Sequence, residues 1–205
     1  MDEALRNEAA LHLSLDAITL RGRRVSTSLL RQAHRVLLGD GCDPRLQPGE
    51  FRSKQAAIVS ITGSHVRDKF VPPPAHLVAQ AVDDRGVPPL IRNAMAHYQF
   101  ETIHPFADGN GRIGRVLILM LLCQDGLLRQ PTLNPSLHME RNRPDYYRHL
   151  YEVSTRNKWK AWTKFFVRSI AAAADDALLK IDGIRELQTR YHGMVYEAGR
   201  RRRCG

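Results

Sequence analysis

Apolar positions in the first forty residues recur at helical spacing. Leu5, Ala9, Leu11, Leu13, Leu15 and Ile18 roughly fit one helix; Leu29, Leu30, Ala33, Val36 and Leu37, read from about Ser28, fit a second that Gly39 stops. From Asp40 to Lys54 the chain is rich in Gly, Pro and Asp, which predicts a loop. Ala56 to Thr62 is short and β-branched, Gly63-Ser64 supplies a turn, and Lys69 to Val71 closes a hairpin. Pro72, Pro73 and Pro74 end any strand, and the third proline can open a short helix through Leu77, Val78 and Ala81.

Pro88-Pro89 then opens a helix in which Ile91, Ala94, Met95, Tyr98 and Thr102 keep the period. Ile113 to Cys123 is apolar nearly all round, which predicts the buried central helix of the fold. Gly126 and Pro131 end that helix and its connection. Two further helices are predicted, over Pro144 to Ser154 and over Lys160 to about Arg190, the second with Trp162, Phe165, Phe166, Ile170, Ala174, Leu178 and Ile181 on one side. The pattern is mostly α with one hairpin, without internal repeat, low-complexity linker or second domain.

Composition narrows the class. With 205 residues, 43% apolar and 25% charged, the chain can bury one sizeable core, which excludes a disordered, collagen-like or disulfide-stapled protein. The longest apolar run, Val116 to Cys123, falls far short of the roughly 20 residues that span a membrane. Asp2, Glu3, Glu8 and Asp16 break the layout of a secretory signal, so a cytoplasmic location without membrane partners is expected. Cys42, Cys123 and Cys204 show no metal-type spacing and leave an odd thiol, which fits a reducing compartment and gives no zinc site. The net charge of +10 fits nucleic acid, an acidic partner or a plain basic surface. Arg200 to Arg203 supply four of those charges in a tail, about residues 195 to 205, of a kind that is usually solvated and disordered.

The chemistry concentrates in His104-Pro105-Phe106-Ala107-Asp108-Gly109-Asn110-Gly111-Arg112-Ile113-Gly114-Arg115. A turn with two glycines delivers free backbone N–H groups at a helix start, a nest for an anion such as phosphate. Arg112 and Arg115, three apart on the first turn, can converge on one polyphosphate. Asp108 offers a hard oxygen for a Mg2+ ion that bridges phosphate oxygens. His104, the group there that titrates near neutrality, is the natural general base for an incoming hydroxyl. Each part alone is common as a cap, a turn or a surface charge. Their conjunction in twelve residues is not.

His104 to Arg115 resembles the signature of the Fic family, His-Pro-Phe-x-[Asp/Glu]-Gly-Asn-Gly-Arg-x-x-Arg, at every fixed position. Phe51-Arg52, Phe70 to Pro74, Ala96 to Phe100 and Arg143 to Tyr147 extend the resemblance to roughly residues 5 to 180 of a single domain spanning 1 to 205. The resemblance implies a Fic-type helical bundle with one β-hairpin flap beside the active site. It implies a protein adenylyltransferase that moves AMP from ATP to a Tyr, Thr or Ser hydroxyl of a target protein, with release of pyrophosphate. His104 is then the base. Asp108 holds Mg2+, Gly109, Asn110 and Gly111 cradle phosphate, and Arg112 and Arg115 bind the β- and γ-phosphates. ATP is the co-substrate. The target protein engages the flap, residues 56 to 71, by strand addition.

Arg112 after Gly111 differs from a family branch that carries lysine near this point and transfers a terminal phosphate, so nucleotidyl transfer is expected. A [Ser/Thr]-x-x-x-Glu-[Gly/Asn] inhibitory pattern, whose glutamate pairs in relatives with the residue matching Arg115, is absent from these 205 residues. The chain is therefore expected to be unrestrained, restrained by a separate antitoxin-like protein, or truncated. The stretch from Ala75 to Pro88 is shorter than usual in the family, which bears on target binding. Tyr146, Tyr147 and Ser154 are either part of a nucleotide wall or core packing, and packing is the expectation. The alternatives are a regulatory module that binds nucleotide or nucleic acid without catalysis, or a Fic enzyme that transfers another nucleotide or removes AMP. Nucleic acid is not an expected partner, since only charge supports it.

Overall fold

The computed structural model describes residues 2–39, 42–53, 58–62, 65–70 and 86–203. Seven α-helices, a short 3-10 turn over Pro44–Leu46 and one strand pair appear among them. Helix α1 runs over Glu3–Thr19 and α2 over Thr27–Leu38, where the Ser26 hydroxyl accepts the Leu29 N–H at 3.3 Å as an N-cap. Strands β1, Ile58–Thr62, and β2, His65–Phe70, pair antiparallel with Ile58 opposite Phe70, Thr62 opposite His65 and a bulge between Ser60 and Ile61. The second strand begins at His65, earlier than the expected Lys69. Three expected features lie outside the described residues: the Gly63-Ser64 turn, the prolines 72–74 with the helix through Leu77 to Ala81, and most of the short 75–88 stretch.

Helix α3, Pro89–Ile103, has proline in its first turn, where a missing N–H costs nothing. Helix α4, Asn110–Gln124, is buried at every position from Val116 to Cys123, as its uniformly apolar sequence predicts. Helix α5, Pro135–Arg141, was not predicted, since two turns are too short for a periodic pattern to declare itself. Helix α6 covers Arg143–Arg156 and α7 covers Trp159–Arg203. The tail expected from about residue 195 instead continues α7 through Arg203. Arginine is a good helix former, and each interior glycine subtracts only about 1 kcal/mol.

The core lies on two sides of α4. On one side Leu29, Leu30 and Leu37 of α2 meet Phe100, Phe106, Ile113, Leu117 and Leu121. On the other, Tyr98, Ile118 and Leu122 meet Val153 of α6 and Trp162 and Phe166 of α7. The indole N–H of Trp162 donates to the Ala94 carbonyl at 2.9 Å, so the largest buried side chain also fixes α7 on α3. Because α4 sits between both clusters, its first turn is held by the whole core. Truncation of Leu117 to alanine should cost roughly 2–5 kcal/mol. No helix among the described residues is long and apolar enough to cross a membrane.

Candidate active site

The site begins where α3 stops. His104 takes a left-handed backbone, φ 51° and ψ 60°, and its N–H still closes the last turn on the Phe100 carbonyl at 2.9 Å. Few side chains accept that conformation readily. Arg52 holds it: its guanidinium donates to the carbonyls of His104 at 2.8 Å and Ile103 at 2.9 Å, capping the helix end with a positive charge. The backbone N–H of Arg52 also donates to the Pro105 carbonyl at 2.8 Å. The segment before β1 is thus stitched to the start of the loop.

The half-buried ring of His104 has Nδ1 3.3 Å from the Glu101 carbonyl. A carbonyl can only accept, so Nδ1 carries the proton and Nε2 keeps its lone pair. Burial lowers the pKa of this ring most, against the Glu101 hydrogen bond and with the Arg52 charge adding to the fall. A neutral imidazole at physiological pH is the form a general base requires.

The loop from 105 to 109 is shaped from within. Asn110, 2% exposed, accepts the Phe106 N–H at 2.9 Å and returns its amide N–H to the Phe106 carbonyl at 2.8 Å. Its side chain is therefore spent on closing the loop, and only its backbone N–H remains to face a ligand. Gly109 caps α4 at φ 76°, a conformation that favours glycine, and a Cβ there would press on Leu37 Cδ2 at 3.1 Å. A Cβ on Gly111 would lie 3.3 Å from the Arg115 guanidinium. As at every helix start, the N–H groups of Asn110, Gly111 and Arg112 have no intrahelical acceptor.

Below the loop stands His34, fully buried and absent from the sequence expectations. Its ring stacks on Phe106 with centroids 3.8 Å apart. The Gly49 N–H donates to its Nδ1 at 2.8 Å, which leaves Nε2–H to donate to the Asp108 carbonyl at 3.0 Å. Burial chiefly keeps this imidazole below its ordinary pKa and hence neutral, as the two opposed bonds need.

The charged groups gather at the α4 N-terminus. Asp108, its carboxylate half exposed, takes a 3.2 Å bond from Arg112. Arg112 also donates to Glu3 of α1 at 2.8 Å. Arg115 lies 3.9 Å from Glu140 of α5. Behind it, Glu101 Oε1 is buried with no hydrogen-bond partner among the described residues, and burial raises that carboxyl to about 7 although Arg115 pulls it back. Its room comes from Gly114, where a Cβ would stand 2.2 Å from Glu101 Oε1. His97 ties the two helices together. Its Nδ1–H donates to the Gly114 carbonyl at 3.1 Å, and its Nε2 accepts from Tyr146 Oη at 3.0 Å.

All seven predicted residues, His104, Asp108, Gly109, Asn110, Gly111, Arg112 and Arg115, thus fall on one helix end, one loop and the first turns of the next helix. Tyr146 is bound into the core as expected, and Ser154 meets Tyr98 Oη at 2.8 Å, whereas Tyr147 is exposed. Glu3, His34 and Glu101 carry no signal in the motif, and Arg52 enters the resemblance only through the Phe51-Arg52 dipeptide. Among the described residues no three His, Cys, Asp or Glu side chains cluster as a protein-only metal cage. Asp108 supplies the hard carboxylate of the loop itself. That donor set suits Mg2+, which commonly takes one or two carboxylates and completes its shell with phosphate and water.

A model of the Fic/DOC family matches residues 24–122. Protein adenylyltransferase fic-1 of Caenorhabditis briggsae is 25% identical over 193 residues, which cover 89% of this chain and 34% of that protein. A probable protein adenylyltransferase of Aquifex aeolicus is 37% identical over 68 residues, 29% of this chain and 21% of that one. The chain spans about a third of the length of the curated relatives it matches over most of its own. A Fic family protein of Desulfovibrio desulfuricans G20 shares the fold with a TM-score of 0.68 at 24% identity, over 88% of this chain and 55% of that one. Fic-1 of Caenorhabditis elegans, residues 134–508, does so with a TM-score of 0.65 at 21% identity, over 88% and 52%. The matched segment holds the capped end of α3, the clamped loop and the arginine-bearing start of α4 together, and it is over this segment that the chain matches the Fic/DOC family.

Proposed function

We propose that this chain is a protein adenylyltransferase that moves AMP from ATP to a Tyr, Thr or Ser hydroxyl of another protein. The observation that carries the reading is the neutral His104, its Nδ1 engaged with the Glu101 carbonyl and its Nε2 left to accept, immediately before the anion-binding start of α4. The names of the relatives, protein adenylyltransferases in worm and bacterium, support the same chemistry.

In this reading the acceptor hydroxyl gives its proton to His104 Nε2 while its oxygen attacks the α-phosphorus of ATP. The new O–P bond forms as the bond to the bridging oxygen breaks in line, and pyrophosphate leaves. The backbone N–H groups of Asn110 and Gly111 face the phosphate charge, and Gly109 lets the chain turn tightly enough to present them. Arg112 and Arg115 bind the β- and γ-phosphates, which requires Arg112 to exchange its carboxylate partners for phosphate oxygens. Asp108 would hold a Mg2+ ion, which would supply neutralisation of phosphate charge when bound. The β1–β2 hairpin is the flap in this scheme, offering backbone groups to an extended segment of the target.

The test incubates purified protein and Mg2+ with ATP labelled at the α-phosphate, alone and with cell extract, beside a γ-labelled control and His104→Ala. Label on protein from the α-position only, and only with His104, is the expected result. Label from the γ-position would assign phosphotransfer, and no label from either would overturn the reading.

A further inference from the structure

The second half of α7 leaves the domain without a partner. Trp162, Phe166, Ile170 and Ala173 are buried, but every residue from Leu178 to Met194 is exposed. At 1.5 Å per residue the whole 45-residue helix is about 67 Å long, more than a body of this size can cover. An isolated helix is marginal in water unless an apolar face is packed. This one has such a face. At 100° per residue Ile181, Ile184, Leu187, Tyr191 and Met194 fall within one stripe about 140° wide, and all are between 38% and 63% exposed. Leu178 and Leu179 lie outside that stripe. Ile184, Leu187, Gln188, Tyr191 and His192 line a shallow groove along it.

The spacing is that of a seam. Ala177, Ile181, Ile184, Gln188, Tyr191, Val195 and Ala198 alternate four and three apart, between three and four heptads when extended to position 202. Charge is polarised along the same segment. Asp175 and Asp176 stand where the helix leaves the body, the stretch from Lys180 to Glu197 carries both signs, and Arg200 to Arg203 stand at its far end.

We infer that this half of α7 pairs antiparallel with the same segment of a second copy of the chain, making a homodimer. In the register that sets Gln188 opposite Tyr191 of the other copy, Ile184 faces position 195, Ile181 faces position 198, and Arg203 comes opposite Asp176. Asp175 and Asp176 thus lie by the other copy's arginines, while Asp182 faces Glu197, and the two helix dipoles oppose. A parallel pair would stack eight arginines at one end and repel. The two bodies then sit at opposite ends of the joint helix pair, so neither active site is covered. The inference is independent of the proposed function, because α7 contributes no residue to the site.

The experiment measures mass in solution by light scattering over a dilution series for the full chain, Ile184→Glu, Tyr191→Glu and Arg202→Glu/Arg203→Glu. Both stripe positions are exposed, so these variants should keep the helical signal and melting temperature of the parent. The expected result is a dimer of twice 23.3 kDa for the parent, and at least a 20-fold weaker dimer for each variant. A mixture of Gln188→Cys and Tyr191→Cys chains should give a disulfide between the two, which a parallel pair would not. A monomer at 100 μM, a dimer indifferent to Ile184→Glu, or crosslinks of parallel geometry would overturn the inference. So would a stripe that binds acidic lipid vesicles while the chain stays monomeric.

Discussion

Glu3 in the first turn of α1 accepts a 2.8 Å hydrogen bond from Arg112 in the first turn of α4, across 109 residues of sequence. The same guanidinium holds Asp108 at 3.2 Å. An arginine proposed to bind phosphate is therefore already occupied on two sides. Glu3 is well exposed, so the pair itself contributes at most about 1 kcal/mol to stability. Glu3→Gln should leave the melting temperature almost unchanged and tighten ATP binding by up to about fivefold, the equivalent of that same energy. Calorimetric titration reads this directly. Weaker binding in the variant would mean that Glu3 aims Arg112 instead of competing for it.

Arg115 lies 3.9 Å from the exposed carboxylate of Glu140 and also acts on the buried Glu101 carboxyl behind it. A charged contact to phosphate is worth roughly 1.5–3 kcal/mol, so Arg115→Ala should lower transfer and self-modification by about 10- to 100-fold. Activity equal to or above the parent would remove Arg115 from the phosphate site.

Asn110 reads in sequence as part of the phosphate cradle, but its side chain makes both of its bonds to Phe106. Asn110→Ala orphans a buried N–H and a carbonyl together. Urea denaturation should show a loss of about 2–4 kcal/mol. Asn110→Asp, which keeps the acceptor for the Phe106 N–H, should lose less. Equal losses in the two variants would show that the clamp is not what holds the loop.

Two buried groups behind the arginines give opposed pH dependences. Burial raises Glu101 from 4.5 to about 7, so between those values the folded chain holds a proton that the unfolded chain has released, and stability falls as pH rises. Burial lowers His97 from 6.5 to about 4, so stability falls as pH drops through that window. Glu101→Gln removes the first slope. At pH 8 it should be more stable than the parent by about 3 kcal/mol at most, with the gain gone by pH 4.5. A gain that persisted unchanged at pH 4.5 would assign it to packing rather than to the proton. Gly114→Ala, which sets a methyl against Glu101 Oε1, should destabilise at every pH.

The site was legible in sequence to the extent that its parts are contiguous. Twelve residues carry base, carboxylate, glycines and arginines, and the apolar run after them announces the helix that anchors them. What could not be read is what tertiary contact decides. Arg52 is just another arginine in a loop until its guanidinium is found on the end of α3, 52 residues away. His34 shares the period of α2 and looks like any half-polar position, yet it bridges Gly49 and Asp108 through opposite ring nitrogens. Glu101 sits in a plainly helical stretch, and nothing local marks it as buried. At the other end of the chain, the arginine run suggested disorder because charge runs usually are disordered. The helix that continues through it is extended by residues with high helical propensity and no proline to stop it.

The left-handed turn at His104 carries a further implication for how this protein could change over time. A non-glycine residue held at φ 51° forfeits roughly 1–2 kcal/mol that glycine would not, and Arg52 offsets the loss with two hydrogen bonds. His104→Gly should therefore fold at least as well as the parent while losing the proposed base. Stability alone favours glycine at this position, so the strained histidine weighs for the proposed role of its imidazole.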